Sequence, residues 1–243
     1  PQWVEQKVPN LKGRYNGNSV VLADGTVMFI GGQTRPFGPL SNKATNDFRD
    51  EGDYANLDVD IFDPSSNKWT KGVPSFKRRG YHSVAALLYD GKVFLGGTQG
   101  PNDETSSELY TPDYLWRGPR PEFSVTPDRV GYDQCLQIQL GGGWEFGMLR
   151  EDKCALIRLI GITHGFGFDQ RYVNLFPRHI INERDLKKDF TYPQPASTDT
   201  AFRLQIPQNQ NLLPPGYYYL FLVSKLINGE SGCPSKGHIV QIL

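Results

Sequence analysis

The chain has 243 residues, enough for two ordinary domains or one large all-β domain. Its 26 basic and 26 acidic side chains cancel, which excludes the basic surface expected of a nucleic-acid-binding protein. No apolar run approaches the roughly 20 residues that span a bilayer, so no transmembrane segment is predicted.

Short β-branched or aromatic runs, each bounded by turn residues, follow one another along the whole chain. This pattern predicts an all-β protein. The predicted strands cover residues 19–22, 26–30, 58–62, 83–88, 92–95, 136–140, 155–160 and 217–223. Only residues 182–188 have a briefly helical or loop-like pattern.

The first half of the chain contains an internal repeat, with copies at residues 14–32 and 79–97. Each copy has an apolar strand, an Asp-Gly turn, a second apolar strand and a Gly-Gly pair. A third strand follows at 59–62, closed by a turn and Trp69, and residues 109–112 repeat that third strand. Each copy therefore predicts a four-stranded blade of a kelch-type propeller. The repeat is about 65 residues long against the roughly 50 of a kelch unit, and the excess lies in a polar loop.

The pattern changes after Pro121, where we predict a domain boundary. Residues 1–121 are the last blades of the propeller, and residues 122–243 are an immunoglobulin-like (early-set) β-sandwich. Two blades do not close a propeller, since closure takes four to eight. We therefore expect upstream blades, on the same polypeptide or on a partner chain.

The three cysteines, Cys135, Cys154 and Cys233, allow at most one internal disulfide. Cys135–Cys233 is the pairing we expect if a bridge forms. Three buried, unpaired thiols are an equally good interpretation.

Four segments resemble the copper-radical oxidases, galactose oxidase and glyoxal oxidase, in the right order and spacing. Residues 79–91 resemble their R-x-Y-H-S-x-x-x-L-L-P-D-G motif, with Tyr89 at the usual proline position. Residues 110–115 resemble F-T-P-x-Y-L, and 156–171 resemble the L-I-R … T-H … D-Q-R segment. Residues 213–221 resemble the closing P-G-Y-x-x-L-F strand. The resemblance covers essentially the whole chain and implies the C-terminal part of such an oxidase.

The resemblance implies a copper(II) centre with two histidines, an axial tyrosine and a second tyrosine crosslinked to a cysteine. The family's Y-H pair falls on Tyr81 and His82, its T-H histidine on His164, and a substrate-pocket phenylalanine on Phe37. The crosslinked Tyr-Cys radical pair would lie in the upstream blades. The implied reaction is oxidation of a small primary alcohol, an aldehyde or a carbohydrate by O2, giving H2O2, with Tyr81 as general base. An extracellular location, secreted or associated with the cell surface or wall, is implied as well.

The donor set is chemically reasonable, because imidazole nitrogens and a phenolic oxygen suit tetragonal copper(II). Neighbours on a regular strand point to opposite faces, so Tyr81 and His82 can share one metal only at a strand end or bulge. Without the resemblance, packing on an inner strand explains this pair better, and His164 is then an ordinary loop histidine.

Residues 169–171, Asp-Gln-Arg, are predicted to link the sandwich to the propeller through fork-type hydrogen bonds of the arginine. His179 and His238 are predicted to be ordinary surface or loop residues. The competing functions are a catalytically silent extracellular scaffold or adhesion module and a carbohydrate-binding propeller that keeps the fold.

Overall fold

The computed structural model describes residues 12–34, 55–98, 105–179 and 193–243. Within these ranges nearly all regular structure is β-strand, which confirms the all-β prediction. Two short 3₁₀ helices, Asp113–Trp116 and Phe146–Met148, are the helical elements of the described residues. None of the described helices is long and apolar enough to cross a membrane.

The predicted repeat folds as two antiparallel blades. The first blade has the strand order β1 (Asn18–Val21), β2 (Val27–Ile30), β3 (Asp60–Asp63), β4 (Lys68–Lys71). The second, within the described residues, has the order β5 (Val84–Leu87), β6 (Val93–Gly96), β7 (Ser107–Tyr110). Both sheets have the antiparallel strand order that the repeat predicts for propeller blades.

The Asp-Gly turns explain why both blades form the same hairpin. In the first, the Asp24 carboxylate accepts hydrogen bonds from the backbone N–H (3.1 Å) and the hydroxyl (2.6 Å) of Thr26. In the second, the Asp90 carboxylate accepts a bond from the Lys92 N–H at 3.1 Å. The glycine that follows each aspartate has φ near +84°, a conformation that costs glycine almost nothing.

The second half of the chain is a sandwich of two sheets, as predicted. One sheet has the order β15 (Pro177–Arg178), β16 (Ala201–Gln205), β10 (Cys135–Leu140), β8 (Phe123–Thr126). The other has the order β14 (Tyr172–Asn174), β11 (Leu149–Arg158), β17 (Gly216–Lys225), β19 (His238–Ile242), β9 (Arg129–Val130), with β18 (Ser231–Pro234) paired to β17. The β9–β19 pair is parallel and the other pairs are antiparallel.

A small hairpin stands apart from both sandwich sheets. It consists of β12 (Ile162–Thr163) and β13 (Phe166–Gly167), and its strands contact β1 and β5 of the two blades. Its two turn residues, His164 and Gly165, have φ of +55° and +77°. Positive φ at both central residues is the feature of a type I′ turn, which matches the twist of a two-residue hairpin.

The blades and the sandwich share apolar packing. Ile157 of β11 and Phe221 of β17 belong to the propeller's core cluster, where they pack with side chains of the blades. Tyr218, Leu220 and Leu222 of β17 point instead into the sandwich core. Both faces of β17 are thus covered, which explains why its sequence is a continuous apolar run rather than an alternating one.

All three cysteines are free, so the Cys135–Cys233 bridge is wrong and the unpaired interpretation holds. Cys154 and Cys233 are buried, and Cys135 is partly buried. The domain boundary after Pro121 stays a prediction.

Candidate metal centre

Tyr81 and His82 lie in the turn that leads into β5, not on the strand itself. The Ser83 N–H donates to the Gly80 carbonyl at 3.1 Å, and His82 at the third turn position has φ of +65°. This is the positive φ that a type II turn requires. The strand alternation therefore breaks at these residues, and the two neighbouring rings lie on the same side, with centroids 4.0 Å apart.

The third predicted residue, His164, reaches the same place from the other domain. Its ring centroid lies 4.2 Å from that of His82 and 5.8 Å from that of Tyr81. More than 80 residues of chain separate the two segments in sequence. The fold thus brings together Tyr81, His82 and His164.

The fourth predicted site residue, Phe37, lies outside the described residues. Its assignment to a substrate pocket stays a prediction.

The His164 ring has a defined hydrogen-bond partner. Thr163 Oγ1 lies 2.7 Å from His164 Nδ1. In the tautomer whose Nδ1–H donates to this hydroxyl, the Nε2 lone pair is available to a metal ion. Both imidazoles are exposed within the described chain and Tyr81 is half-buried, so the three side chains form an open site.

The turn that carries Tyr81 and His82 is anchored by a buried cation. The Arg79 side chain is fully buried, and its guanidinium donates to the Glu108 carboxylate at 3.0 Å and to the Ser106 carbonyl at 2.9 Å. The Arg79 carbonyl accepts bonds from the Gly32 N–H (2.6 Å) and from Ser83 Oγ (3.2 Å). The start of the turn is therefore tied to both blades.

The neighbouring blade also holds the end of that turn. The buried Asn18 side chain, at the start of β1, donates to Ser83 Oγ at 2.9 Å. Sequence reasoning missed both anchors. The repeat offered a signal for Arg79, since an arginine stands before the first strand of each copy, whereas nothing local marks Asn18.

The donor set fits copper(II) in type, with two imidazoles and one phenol that two turns bring together. The described residues contain no cluster of three His, Cys, Asp or Glu side chains that could hold a metal ion. A metal site built from these residues would therefore need the Tyr81 phenol in addition to the two imidazoles. Burial raises the pKa of the Cys154 thiol well above its ordinary value, which disfavours the thiolate form that binds metals.

Two predictions are wrong: Arg171 is not the residue that links the sandwich to the propeller, and His238 does not lie in a loop. The link between sandwich and propeller is made by Gln170, whereas Arg171 donates to the Asn211 and Leu212 carbonyls within the sandwich. His179 pairs with Asp199 at 2.8 Å. His238 lies on β19 rather than in a loop, and burial lowers its pKa.

Residues 120–242 match the family model of the galactose oxidase-like early set domain, which is half of the chain. The chain belongs to this family. Its similarity extends to the blades, since galactose oxidase of Gibberella zeae is 27% identical over 92% of the chain. Aldehyde oxidase GLOX1 of Arabidopsis thaliana is 25% identical over 100% of the present chain.

Among solved structures, a fungal alcohol oxidase of the AA5 family, determined in complex with copper, matches 94% of the chain with a TM-score of 0.70. At 22% identity this likeness shows the fold alone. The chain spans 28% of the Gibberella zeae enzyme, 38% of the Arabidopsis enzyme and 42% of the fungal alcohol oxidase. All three of these named proteins are oxidases, and galactose oxidase is among the proteins whose motifs the sequence resembles.

Proposed function

We propose that this chain is the C-terminal part of a secreted copper-radical oxidase. The observation that carries the proposal is the meeting of Tyr81, His82 and His164 at one point, from turns of two different domains. Packing within one blade would not require a histidine on a sandwich hairpin to reach that point.

Copper(II) would be held by the imidazoles of His82 and His164 and by the Tyr81 phenolic oxygen. Together with the crosslinked Tyr-Cys radical pair expected in upstream blades, it would supply two-electron oxidation of a primary alcohol or aldehyde, with O2 reduced to H2O2. The chain's own contribution is to place these donors at the open face where the blades and the sandwich meet.

In the proposed reaction Tyr81 is the general base. Its oxygen, as the phenolate, would accept the proton of the substrate hydroxyl. Loss of the C–H hydrogen as well would give the carbonyl product, and the two protons and two electrons released in total would reduce O2 to H2O2. Phe37 would contact the substrate beside the metal. These roles rest on the family motifs and on the convergence of the three side chains.

The first test is the copper content of the full-length protein, isolated natively and measured by elemental analysis. We expect stoichiometric copper in the wild type and its loss in His82→Ala and His164→Ala. His179→Ala is the matched control, because His179 pairs with Asp199 away from this site. A protein that takes up no copper, even when all upstream blades are present, would favour the silent scaffold.

The second test concerns the Tyr81 phenol. Tyr81→Phe should abolish copper-dependent H2O2 production from primary alcohols or aldehydes, whereas Tyr89→Phe, an exposed tyrosine in the following turn, should leave it unchanged. Full activity of Tyr81→Phe would exclude the general-base role. Detection of the protein in the culture medium of its source cells would test secretion.

A further inference from the structure

Gln170 joins the two domains next to the hairpin that carries His164. Its side-chain carbonyl accepts a hydrogen bond from the Val21 N–H at 2.9 Å, and its amide donates to the Ser19 carbonyl at 2.8 Å. Both partners are backbone groups of β1, 149 and 151 residues away in sequence.

The two bonds use a part of β1 that the blade leaves unpaired. The strand is the terminal strand of its four-stranded sheet, and β2 pairs only one of its edges. Alternate residues of an antiparallel strand direct their backbone groups to opposite edges, so Ser19 and Val21 face outward together. The primary amide of Gln170 has one acceptor and one donor, and it satisfies both groups as a neighbouring strand would.

Gln170 also packs against the hairpin that carries His164. A Cβ placed on Gly167 of β13 would lie 2.8 Å from Gln170 Nε2, so the side chain lies directly against the hairpin backbone. The tip of that hairpin lies against the start of the first blade, since a Cβ on Gly165 would lie 3.4 Å from the Asn16 and Gly17 carbonyls. The hairpin is thus held at its base by Gln170 and at its tip by residues 16–17.

A continuous set of contacts connects this clamp with the other half of the centre. Gln170 holds β1 at Ser19 and Val21, and the adjacent Asn18 side chain donates to Ser83 Oγ at the end of the Tyr81–His82 turn. Besides the direct contacts of the hairpin with β5, β1 therefore connects His164 with the Tyr81–His82 turn.

We propose that Gln170 is a positioning residue that fixes the separation between His164 and the Tyr81–His82 pair. This inference rests on the proposed copper site for its effect on metal binding. The clamp itself is independent of that site. Residues that orient metal ligands typically change metal affinity by about 10–100-fold when they are replaced.

The test compares Gln170→Ala with Lys153→Met in the full-length protein. Lys153 Nζ donates to the Asp24 carbonyl at 2.6 Å, so it links the same two domains at the far end of β1, in the β1–β2 turn. Hydrogen–deuterium exchange of the metal-free proteins is measured in peptides covering 160–170. Copper(II) affinity and the copper(II) EPR spectrum are measured on the same proteins.

We expect Gln170→Ala to accelerate exchange in 160–170, to weaken copper(II) binding by about 10–100-fold and to alter the EPR parameters, whereas Lys153→Met does none of these. Unchanged exchange in Gln170→Ala would overturn the clamp. Faster exchange with unchanged affinity and spectrum would overturn the positioning role. If Gln170→Ala fails to fold, Gln170→Glu keeps the shape and the acceptor for Val21 but loses the donor to Ser19, and the same criteria apply.

Failure of the proposed function has a different signature. If the wild type itself binds no copper(II), the copper site is refuted, and the effect on metal binding with it. The exchange data alone then decide whether Gln170 holds the hairpin on β1.

Discussion

The two blades have the same arrangement before their first strand but carry different side chains in the turn there. In both, an arginine before the first strand reaches a carboxylate on the third strand, Arg14 to Asp60 at 2.7 Å and Arg79 to Glu108 at 3.0 Å. In both, the residue two positions before the first strand has positive φ, +53° at Asn16 and +65° at His82. Asparagine adopts this conformation readily, and histidine does so less often.

The difference between the blades lies in what this turn presents. The Asn16 backbone carbonyl lies against the tip of the His164 hairpin, whereas the His82 imidazole packs against the His164 ring. Tyrosine precedes each of them, at Tyr15 and Tyr81. The first blade has asparagine at the matching position, also with positive φ, so this backbone conformation does not by itself require the histidine of the second blade.

The largest expected difference between the two blades is the amount by which each arginine stabilises the fold. Arg79→Met removes a fully buried cation and leaves Glu108 without its charged partner, which should lower the free energy of unfolding by about 3–5 kcal/mol. Arg14→Met should cost less, about 1.5–3 kcal/mol, because Asp60 keeps Lys71 at 2.5 Å. Denaturant unfolding of both variants measures the difference. An equal or larger loss in Arg14→Met would contradict it.

Replacing His82 tests whether this histidine serves metal binding or folding. His82→Asn installs the residue of the first blade, so the free energy of unfolding should change by no more than about 1 kcal/mol. Copper(II) affinity should fall by more than about 100-fold, beyond the range seen when an outer partner of a metal ligand is lost. Isothermal titration with copper(II) and thermal unfolding report the two effects. Asn16→His is the reciprocal control and should retain copper. A large loss of stability in His82→Asn would show that the histidine serves the fold.

The glycine after the second strand of each blade gives the finest comparison, because the two alanine variants should differ only modestly in stability. Gly31 and Gly97 both have φ near +70°, where alanine costs about 1–2 kcal/mol. Gly31→Ala adds a clash, because its Cβ would lie 2.7 Å from the Arg79 carbonyl, which already accepts the Gly32 N–H. Gly97→Ala would place its Cβ 3.1 Å from the His82 carbonyl, so it should destabilise less than Gly31→Ala. Equal costs in denaturant unfolding would mean that the two blades are not coupled through Arg79.

Much of the architecture follows from local pattern. The Asp-Gly turns, the alternation of buried and exposed residues in β10 and the repeated glycines require particular residue types at fixed offsets, so the hairpins and the repeat are visible in the sequence. The candidate donors were found through family motifs. The short distances between these side chains could not be derived from the residues, because Tyr81–His82 and His164 belong to different domains.

The strands, the turns and the available donor residue types can therefore be read from local patterns. The contact of Gln170, rather than Arg171, with β1 and the bond from Asn18 to Ser83 become visible only in the folded chain. The physical reason is the range of the interactions. Turn chemistry acts within about four residues and leaves a local signature, whereas a side-chain amide that completes a strand edge 149 residues away leaves none.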